Sequence, residues 1–323
     1  DQHPDMVMFT GSTATGKKIM KQCSDLLIPV ELELGGKDPM IVFEDAHIER
    51  TASGALFGAL TATGQSCTSV ERLYVHESIH DEFVAELVRQ AKLLTQADTN
   101  DRDNDLGHMT VDFQIAKVAE HVKDAVSRGA TQHTGLDWDG ESGLIPPIIL
   151  TDVPDDALAA TDETFGPTIP VFKFTDEQDV IDRANDTPYG LTASVWSADA
   201  DRARRVAGAL RCGGVSINNV MATEATPVLP FGGIDDSGMG RHKGVTGLHG
   251  FCNVKSVIVD KDGADGAGLE ANWYPYTEKK YEKFLKMLKA NFEEQPAPVK
   301  LAKFGLFGTS LESYAQKALK ERE

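Results

Sequence analysis

The stretch ELELGGK, residues 31–37, alternates two glutamates with leucines directly before a Gly-Gly turn. Successive side chains of a strand point to opposite faces, so a strand here places Glu31 and Glu33 on the same face. A carboxylate held among leucines is partly desolvated, which raises its pKa toward that of a useful base. The open alternative is that both glutamates are solvated acids on an edge strand.

A cysteine follows further along the chain in the segment GQSCTS, residues 64–69. Cys67 comes after an Ala- and Leu-rich helical pattern and has small polar neighbours, whereas a buried structural thiol more often lies beside large apolar residues. A thiolate that attacks a carbonyl and a carboxylate that activates water can share acyl chemistry. Glu33 and Cys67 together, in this order, favour a reactive thiol over an inert one.

Strand and helix patterns alternate on both sides of these motifs, which predicts an α/β fold with an open parallel sheet flanked by helices. Strands are predicted at residues 6–9, 29–34, 39–43, 73–75, 148–150, 168–174, 193–196, 215–218 and 256–259. Helices are predicted at residues 16–26, 48–63, 80–94, 113–128, 176–185, 200–210, 281–292 and 311–320, and a polar loop at 98–105.

Three further segments have the composition of binding loops. FTGSTATG, residues 9–16, combines glycines that permit a tight turn with a helix start whose free N–H groups suit a dinucleotide pyrophosphate. DETFGP, residues 162–167, offers an acid for a ribose diol and an aromatic ring for a flat ligand. PFGG at 230–233 and SGMGR at 237–241 predict a close-packed loop. Each segment alone is also compatible with an ordinary turn, which the residues of DETFGP and of the glycine-rich loop favour on their own.

Composition excludes several classes of protein. The 323 residues carry a formal charge of −18, which disfavours nucleic acid and anionic membrane surfaces as partners. No apolar run reaches the length of about 18 residues that a membrane span needs. The four cysteines, Cys23, Cys67, Cys212 and Cys252, are widely spaced, so we expect no metal site and no disulfide framework. Reduced thiols favour a cytoplasmic location.

Taken together and in this order, the segments resemble the aldehyde dehydrogenase superfamily over residues 5–260. The pairing of ELGGK with GQxC carries the resemblance, and ETFGP and PFGGxxxSGxG agree with it in register. The resemblance implies an aldehyde substrate, NAD or NADP as cofactor, Cys67 as catalytic nucleophile and Glu33 as general base. It places Phe231 at the substrate entrance. The residues implied on the cofactor side are Gly11, Ser12, Gly16, Leu34, Glu163 and Phe165.

The mechanism implied by the resemblance begins with attack of the Cys67 thiolate on the aldehyde, which gives a thiohemiacetal. Hydride then leaves to NAD(P)+, and Glu33 deprotonates the water that hydrolyses the resulting thioester. The backbone N–H of Cys67 supplies half of an oxyanion hole. Within the ETFGP and FTGS segments, Glu163 would bind the ribose, and Ser12 would contact cofactor phosphate.

The chain departs from the family in two respects. The family's other oxyanion donor and the first strands of its dinucleotide-binding sheet lie upstream of FTGS, so the chain resembles the back half of such an enzyme. Many members have a Glu after the last Gly-Arg, where this chain has His242, which leaves Glu33 as the main base. The residues that flank the motifs are most similar to those of the succinate-semialdehyde dehydrogenase branch.

The expected domains follow from this resemblance. Residues 1–34 are the end of a dinucleotide-binding domain, 35–245 a catalytic thiol domain, 246–260 an oligomerisation strand and return segment, and 261–323 a linker with a helical C-terminal extension. The family generally forms homodimers or homotetramers. Two other functions stay open: a cofactor-independent thiol esterase or acyltransferase, and a catalytically incomplete assembly module.

Overall fold

The computed structural model describes residues 3–97, 104–259, 273–274 and 276–292. The chain divides into two compact units, Asp1–Asn253 and Val254–Glu323. The predicted helix at 311–320 and most of the predicted loop at 98–105 lie outside the described residues. None of the described helices has the length and apolar composition that crossing a bilayer requires.

The first unit alternates strands and helices, as the sequence predicts. Its strands are β1 Val7–Thr10, β2 Val30–Glu33, β3 Asp38–Val42, β4 Val70–His76, β5 Thr131–Gln132, β6 Ile148–Thr151, β7 Thr168–Phe174, β8 Thr192–Trp196, β9 Gly214–Ile217 and β10 Gly238–Met239. Its helices are α1 Thr13–Ser24, α2 Ile48–Leu60, α3 Glu77–Ala91, α4 Asp112–Ser127, α5 Leu158–Thr161, α6 Glu177–Asn185, α7 Ala200–Ala209, α8 Ala222–Ala225 and α9 Gly244–Gly250. Two 3₁₀ turns occupy Thr61–Gly64 and Asp235–Ser237, and α10, Glu278–Phe292, belongs to the second unit.

The main sheet has the strand order β5-β6-β7-β4-β3-β8-β9 and is parallel except for the antiparallel edge strand β5. Neighbouring residues of β3 belong to different buried clusters: Met40 to the one that contains Leu56 and Phe83, and Ile41 to the one that contains Val118. Strands buried on both faces are typical of parallel sheets covered by helices. The predicted open parallel sheet flanked by helices is therefore confirmed.

A second, small sheet has the order β1-β2-β10. Its central strand β2 pairs in parallel with β1 and antiparallel with β10, so the last residue of β2, Glu33, is opposite Thr10 on one side and Gly238 on the other. Residues 34–37 then lead directly into β3 of the main sheet. Glu33 thus lies at the carboxyl end of a strand, where open α/β sheets commonly place their ligands.

The strand predicted at 256–259, a candidate for exchange between subunits, does not form within the single chain. Those residues have no regular secondary structure, and Ile258 is 95% exposed. A strand needs a neighbour to receive its hydrogen bonds, and the described part of the chain provides none for this segment. The segment before it, predicted as part of an oligomerisation strand and return, begins instead within α9.

Candidate active site

Glu33 is a buried carboxylate. It is 4% exposed, and among the described residues no group forms a hydrogen bond with its Oε2 atom. Burial, followed by the charge of Glu31, raises the pKa of Glu33 to about 8, whereas Arg241 and Lys243 act to lower it. Glu33 is therefore desolvated, and the alternative of solvated acids on an edge strand is wrong because both glutamates are buried on a central strand. The role of Glu33 as a base stays a prediction.

The Gly-Gly turn after Glu33 brings the other motifs against it. A Cβ atom on Gly36 would lie 2.5 Å from the carbonyl oxygen of Cys67, and one on Gly35 would lie 2.6 Å from the Glu163 carboxylate. The Gly36 N–H donates a 3.0 Å hydrogen bond to Glu163 Oε1. Because only glycine leaves room for these contacts, the turn positions the thiol segment and the DETFGP segment together.

The Cys67 turn docks on DETFGP through backbone contacts. Helix α2 ends at Leu60, earlier than predicted, and Ala62 and Thr63 adopt left-handed backbone angles with φ of 52° and 59°. Gly64 has φ +75°, and a Cβ on it would lie 2.3 Å from the carbonyl oxygen of Gly166. The turn therefore leads the chain out of the helix and presents a half-buried Cys67 at the site.

Carboxylates dominate the electrostatics of the thiol. Burial raises the pKa of Cys67 to about 12, and the nearby charges that add to this effect are, in order, those of Glu224, Asp38, Glu163 and Glu33. In the described part of the chain, no acceptor forms a hydrogen bond with the Cys67 N–H, so this group is free for an oxyanion. The charge of Glu33 thus reaches the Cys67 thiol, which places the two predicted catalytic groups in the same region of the molecule.

The raised pKa makes a testable prediction for the free protein. Iodoacetamide is expected to alkylate Cys67 slowly at neutral pH, and the rate should keep rising about tenfold per pH unit through pH 10, because only the thiolate reacts. An ordinary thiol, N-acetylcysteine, should level off near pH 9. Peptide mass spectrometry of the Cys67 peptide measures the rate, and a plateau below pH 9 would contradict the prediction.

The residues predicted on the phosphate side surround the carboxyl end of β2. The Gly11 N–H donates to the Glu33 carbonyl oxygen at 3.0 Å, and the Ser12 hydroxyl caps α1. A Cβ on Gly16 would lie 2.6 Å from the Leu34 side chain, so these two predicted residues pack together. The start of α1 is therefore fixed beside the base, and its N–H groups suit a phosphate.

The residues predicted on the ribose and nicotinamide side lie on the adjacent loop. Burial first, and then Glu71, raises the pKa of the half-buried Glu163 to about 7. Phe165 has φ 53°, an uncommon angle for a residue with a side chain. The Glu71 carboxylate holds this loop by accepting hydrogen bonds from the N–H groups of Thr164 at 2.6 Å and Phe165 at 2.8 Å.

A buried ion pair that the sequence analysis missed connects this loop to the Gly-Gly turn. Lys37 Nζ lies 2.7 Å from Glu71 Oε2, and the two side chains are 0% and 2% exposed. Lys37 also donates to the hydroxyl of Thr164 at 3.3 Å. In the sequence, this ion pair is indicated only by Lys37 itself, a charged residue at the end of a motif whose other residues suit a buried strand and turn. The pair holds the ELGGK turn and the DETFGP loop in one arrangement.

The PFGG and SGMGR segments cover the base. Ser237 Oγ donates to the Gly35 carbonyl oxygen at 2.6 Å. Phe231 and His242 exchange two backbone hydrogen bonds of 2.8 Å, and their rings meet edge to face at 5.1 Å. Phe231 is buried against His242, and its place at a substrate entrance stays a prediction. His242 Nδ1 lies 2.9 Å from Glu33 Oε1, a contact that the sequence analysis did not foresee.

The chain belongs to the aldehyde dehydrogenase family, whose model matches residues 1–257. It is 41% identical over 284 residues to 4,4'-diapolycopene aldehyde oxidase of a Methylomonas species, covering 88% of this chain and 52% of that protein. It is 39% identical over 252 residues to succinate-semialdehyde dehydrogenase [NADP(+)] GabD of Escherichia coli strain K12, covering 78% and 52% respectively.

Solved structures agree with this assignment. The fold matches betaine aldehyde dehydrogenase from Staphylococcus aureus in complex with NAD+, with a TM-score of 0.71, 35% sequence identity, and coverage of 76% of this chain and 49% of that chain. The chain spans about half the length of the relatives it matches. The resemblance to the family is thus confirmed, and a relative of the succinate-semialdehyde branch is among the matches.

Proposed function

We propose that this chain carries the thiol and base machinery of an enzyme that oxidises an aldehyde to a carboxylic acid. The observation that carries the proposal is that the Gly35–Gly36 turn, which follows Glu33, lies against the Cys67 backbone, with the charge of Glu33 acting on the thiol. The geometry supports this proposal with a half-buried thiol, a carboxylate of raised pKa and a backbone N–H at Cys67 to which no described acceptor is bonded. Those three groups are what acyl chemistry on a thiol requires.

The residues of this chain would carry out acylation of the thiol and hydrolysis of the thioester. Cys67 Sγ bonds to the aldehyde carbon while the thiol proton passes to a carboxylate of the site, and the Cys67 N–H stabilises the oxyanion. After the carbon has been oxidised, Glu33 takes a proton from water as the water oxygen bonds to the thioester carbon. The C–S bond then breaks, which releases the acid and restores the sulfur.

NAD or NADP fits the arrangement of the remaining predicted residues. The start of α1 at Ser12 would hold phosphate, Glu163 would bind a ribose diol, and Phe165 would pack beside the ring. The bound dinucleotide supplies the acceptor for the hydride. One relative is named for NADP(+) and another was crystallised with NAD+, so both cofactors stay within the proposal.

The proposal also covers the substrate, the oligomeric state and the cellular location of the protein. We propose a small-molecule aldehyde as substrate, a homodimer or homotetramer as the assembly, and the cytoplasm, where the four free cysteines would stay reduced. A thiol esterase would cleave activated esters and never reduce a dinucleotide. An assembly module would do neither. Reduced-cofactor absorbance that appears only when aldehyde is added distinguishes the proposal from both.

Glu33→Gln is the sharpest test of the base. It is expected to acylate normally but to deacylate about 10²-fold more slowly or worse, because an amide cannot take a proton from water. Treatment with p-nitrophenyl acetate, followed by desalting and peptide mass spectrometry, should show an acetyl group that persists on Cys67. This readout needs no dinucleotide, so it isolates the thiol chemistry.

Glu224→Gln is the matched control. Glu224 faces the thiol and accepts a 2.6 Å hydrogen bond from Thr68, but it has no proposed role in hydrolysis. Its replacement removes the nearby charge that most disfavours the Cys67 thiolate, so acylation should be faster and deacylation unchanged. Rapid loss of acetate from Glu33→Gln, equal to the parent protein, would rule out Glu33 as the base.

A further inference from the structure

Glu31, Glu33 and His242 form a compact titratable cluster, in which one nitrogen or oxygen from each lies within 4.8 Å of the others. His242 Nδ1 is 2.9 Å from Glu33 Oε1 and 3.7 Å from Glu31 Oε1. Both glutamates are buried, and no group of the described chain forms a hydrogen bond with Glu31 Oε1 or Glu33 Oε2. The imidazole therefore engages one oxygen of the base and leaves the other unbonded.

Two glycines fix both carboxylates in this arrangement. A Cβ on Gly232 would lie 2.8 Å from Glu33 Oε1, and one on Gly240 would lie 2.6 Å from Glu31 Cγ. Both glycines have positive φ, of 156° and 92°, so the backbone itself favours glycine there. The carboxylates consequently have little freedom to turn away from His242.

The imidazole is held as firmly as the carboxylates. Its backbone pairs with Phe231, its ring packs on the Phe231 ring, and its side chain is 22% exposed. The Lys243 ammonium lies 4.9 Å from the Phe231 ring centroid and donates to the Glu224 carbonyl oxygen at 2.5 Å. The charged groups that face the cluster are thus Arg241, Lys243 and Glu224, together with Glu31 and Glu33 themselves.

Repulsion between the Glu31 and Glu33 carboxylates opposes ionisation of the proposed base. Two carboxylates buried side by side disfavour each other's ionisation, and a base must be ionised to accept a proton. A hydrogen bond donated to one oxygen favours the charged form and also sets the direction of the second oxygen. An Nδ1–H aimed at Glu33 Oε1 would provide both effects.

We propose that His242 is a positioning residue for Glu33, whose Nδ1–H holds Oε1, favours the ionised carboxylate beside Glu31, and leaves Oε2 to take the proton from the hydrolytic water. This inference rests on the proposed function, because it concerns the same deacylation step. His242 acts through Glu33 and forms no bond to the acyl group. Glu31 opposes it, since its charge favours the protonated base.

The test measures deacylation of acetyl-Cys67 against pH, from about pH 5 to pH 10. His242→Phe keeps a ring against Phe231 but has no donor, so the midpoint of its pH profile should move up by about 1 unit, with deacylation about tenfold slower at neutral pH. His242→Asn keeps a donor at the Nδ1 position and should retain most of the rate. Glu31→Gln should move the midpoint the other way.

The protonated nitrogen of His242 can also be identified directly in the parent protein. Nitrogen-15 NMR of the parent protein should show His242 protonated at Nδ1 at neutral pH, with its signals assigned by their loss in His242→Asn. A neutral ring protonated only at Nε2 would overturn the proposal, as would a parent-like pH profile in folded His242→Phe. If Glu33→Gln itself deacylates normally, the proposed function fails at the base. If Glu33→Gln is slow and only the His242 results are negative, this inference alone fails.

Discussion

Replacing Cys67 by serine is expected to abolish both aldehyde oxidation and acyl transfer, with a loss of about 10⁴-fold or more. An alcohol is a far weaker acid than a thiol, and the carboxylates around position 67 already make ionisation difficult. The rate of reduced-cofactor formation with aldehyde, and the rate of p-nitrophenolate release from p-nitrophenyl acetate, measure the two activities. Turnover by Cys67→Ser at the parent rate would end the assignment of the nucleophile.

Cys212→Ser is the control for this experiment. Cys212 is also half-buried, and burial likewise raises its pKa to about 12. Its thiol donates to the Gly214 carbonyl oxygen at 3.4 Å, so it is held by structure and has no place in the proposed mechanism. Aldehyde oxidation and acyl transfer should both survive in Cys212→Ser. That result would show that Cys67→Ser loses activity because the thiol at position 67 is required, and not because a partly buried sulfur has been removed.

The order of the elements could be predicted because each depends on local pattern. β7 was predicted with its observed bounds, Thr168–Phe174, since an apolar run bounded by turn residues defines a strand by itself. The leucines on either side of Glu33 left its burial as one of two interpretations, and the central position of β2 in its sheet decides between them. The same reasoning missed the end of α2, where the chain leaves the helix at Ala62 and Thr63 although neither Leu60 nor Thr61 is a Gly or Pro.

The contacts that build the site could not be predicted in the same way. His242 and Glu33 are 209 positions apart, and nothing near either residue indicates the other. The contact exists because β10 pairs with β2 and brings the SGMGR segment over the base. Residues 256–259 have strand propensity, but the described chain offers them no neighbouring strand, so their pairing with a second subunit stays a prediction.

Removing one partner of the buried Lys37–Glu71 pair should have the largest effect on stability. Lys37→Met is expected to lower the free energy of unfolding by about 3–5 kcal/mol, because it leaves the Glu71 carboxylate buried without its cation. Glu71 also accepts the N–H groups of Thr164 and Phe165, so the DETFGP loop should loosen as well. Urea denaturation monitored by circular dichroism gives the free energy of unfolding. The slope of that free energy against urea concentration should be the same in Lys37→Met and the parent protein.

A double-mutant cycle and a surface pair make this prediction specific. Lys37→Met combined with Glu71→Leu removes both charges, and the double variant should be less destabilised than the sum of the single variants. Arg205→Met breaks an ion pair of the same 2.7 Å length with Glu177, but that pair is exposed to water, so the unfolding midpoint should not move. Equal effects of Lys37→Met and Arg205→Met would show that burial does not determine the strength of the Lys37–Glu71 pair.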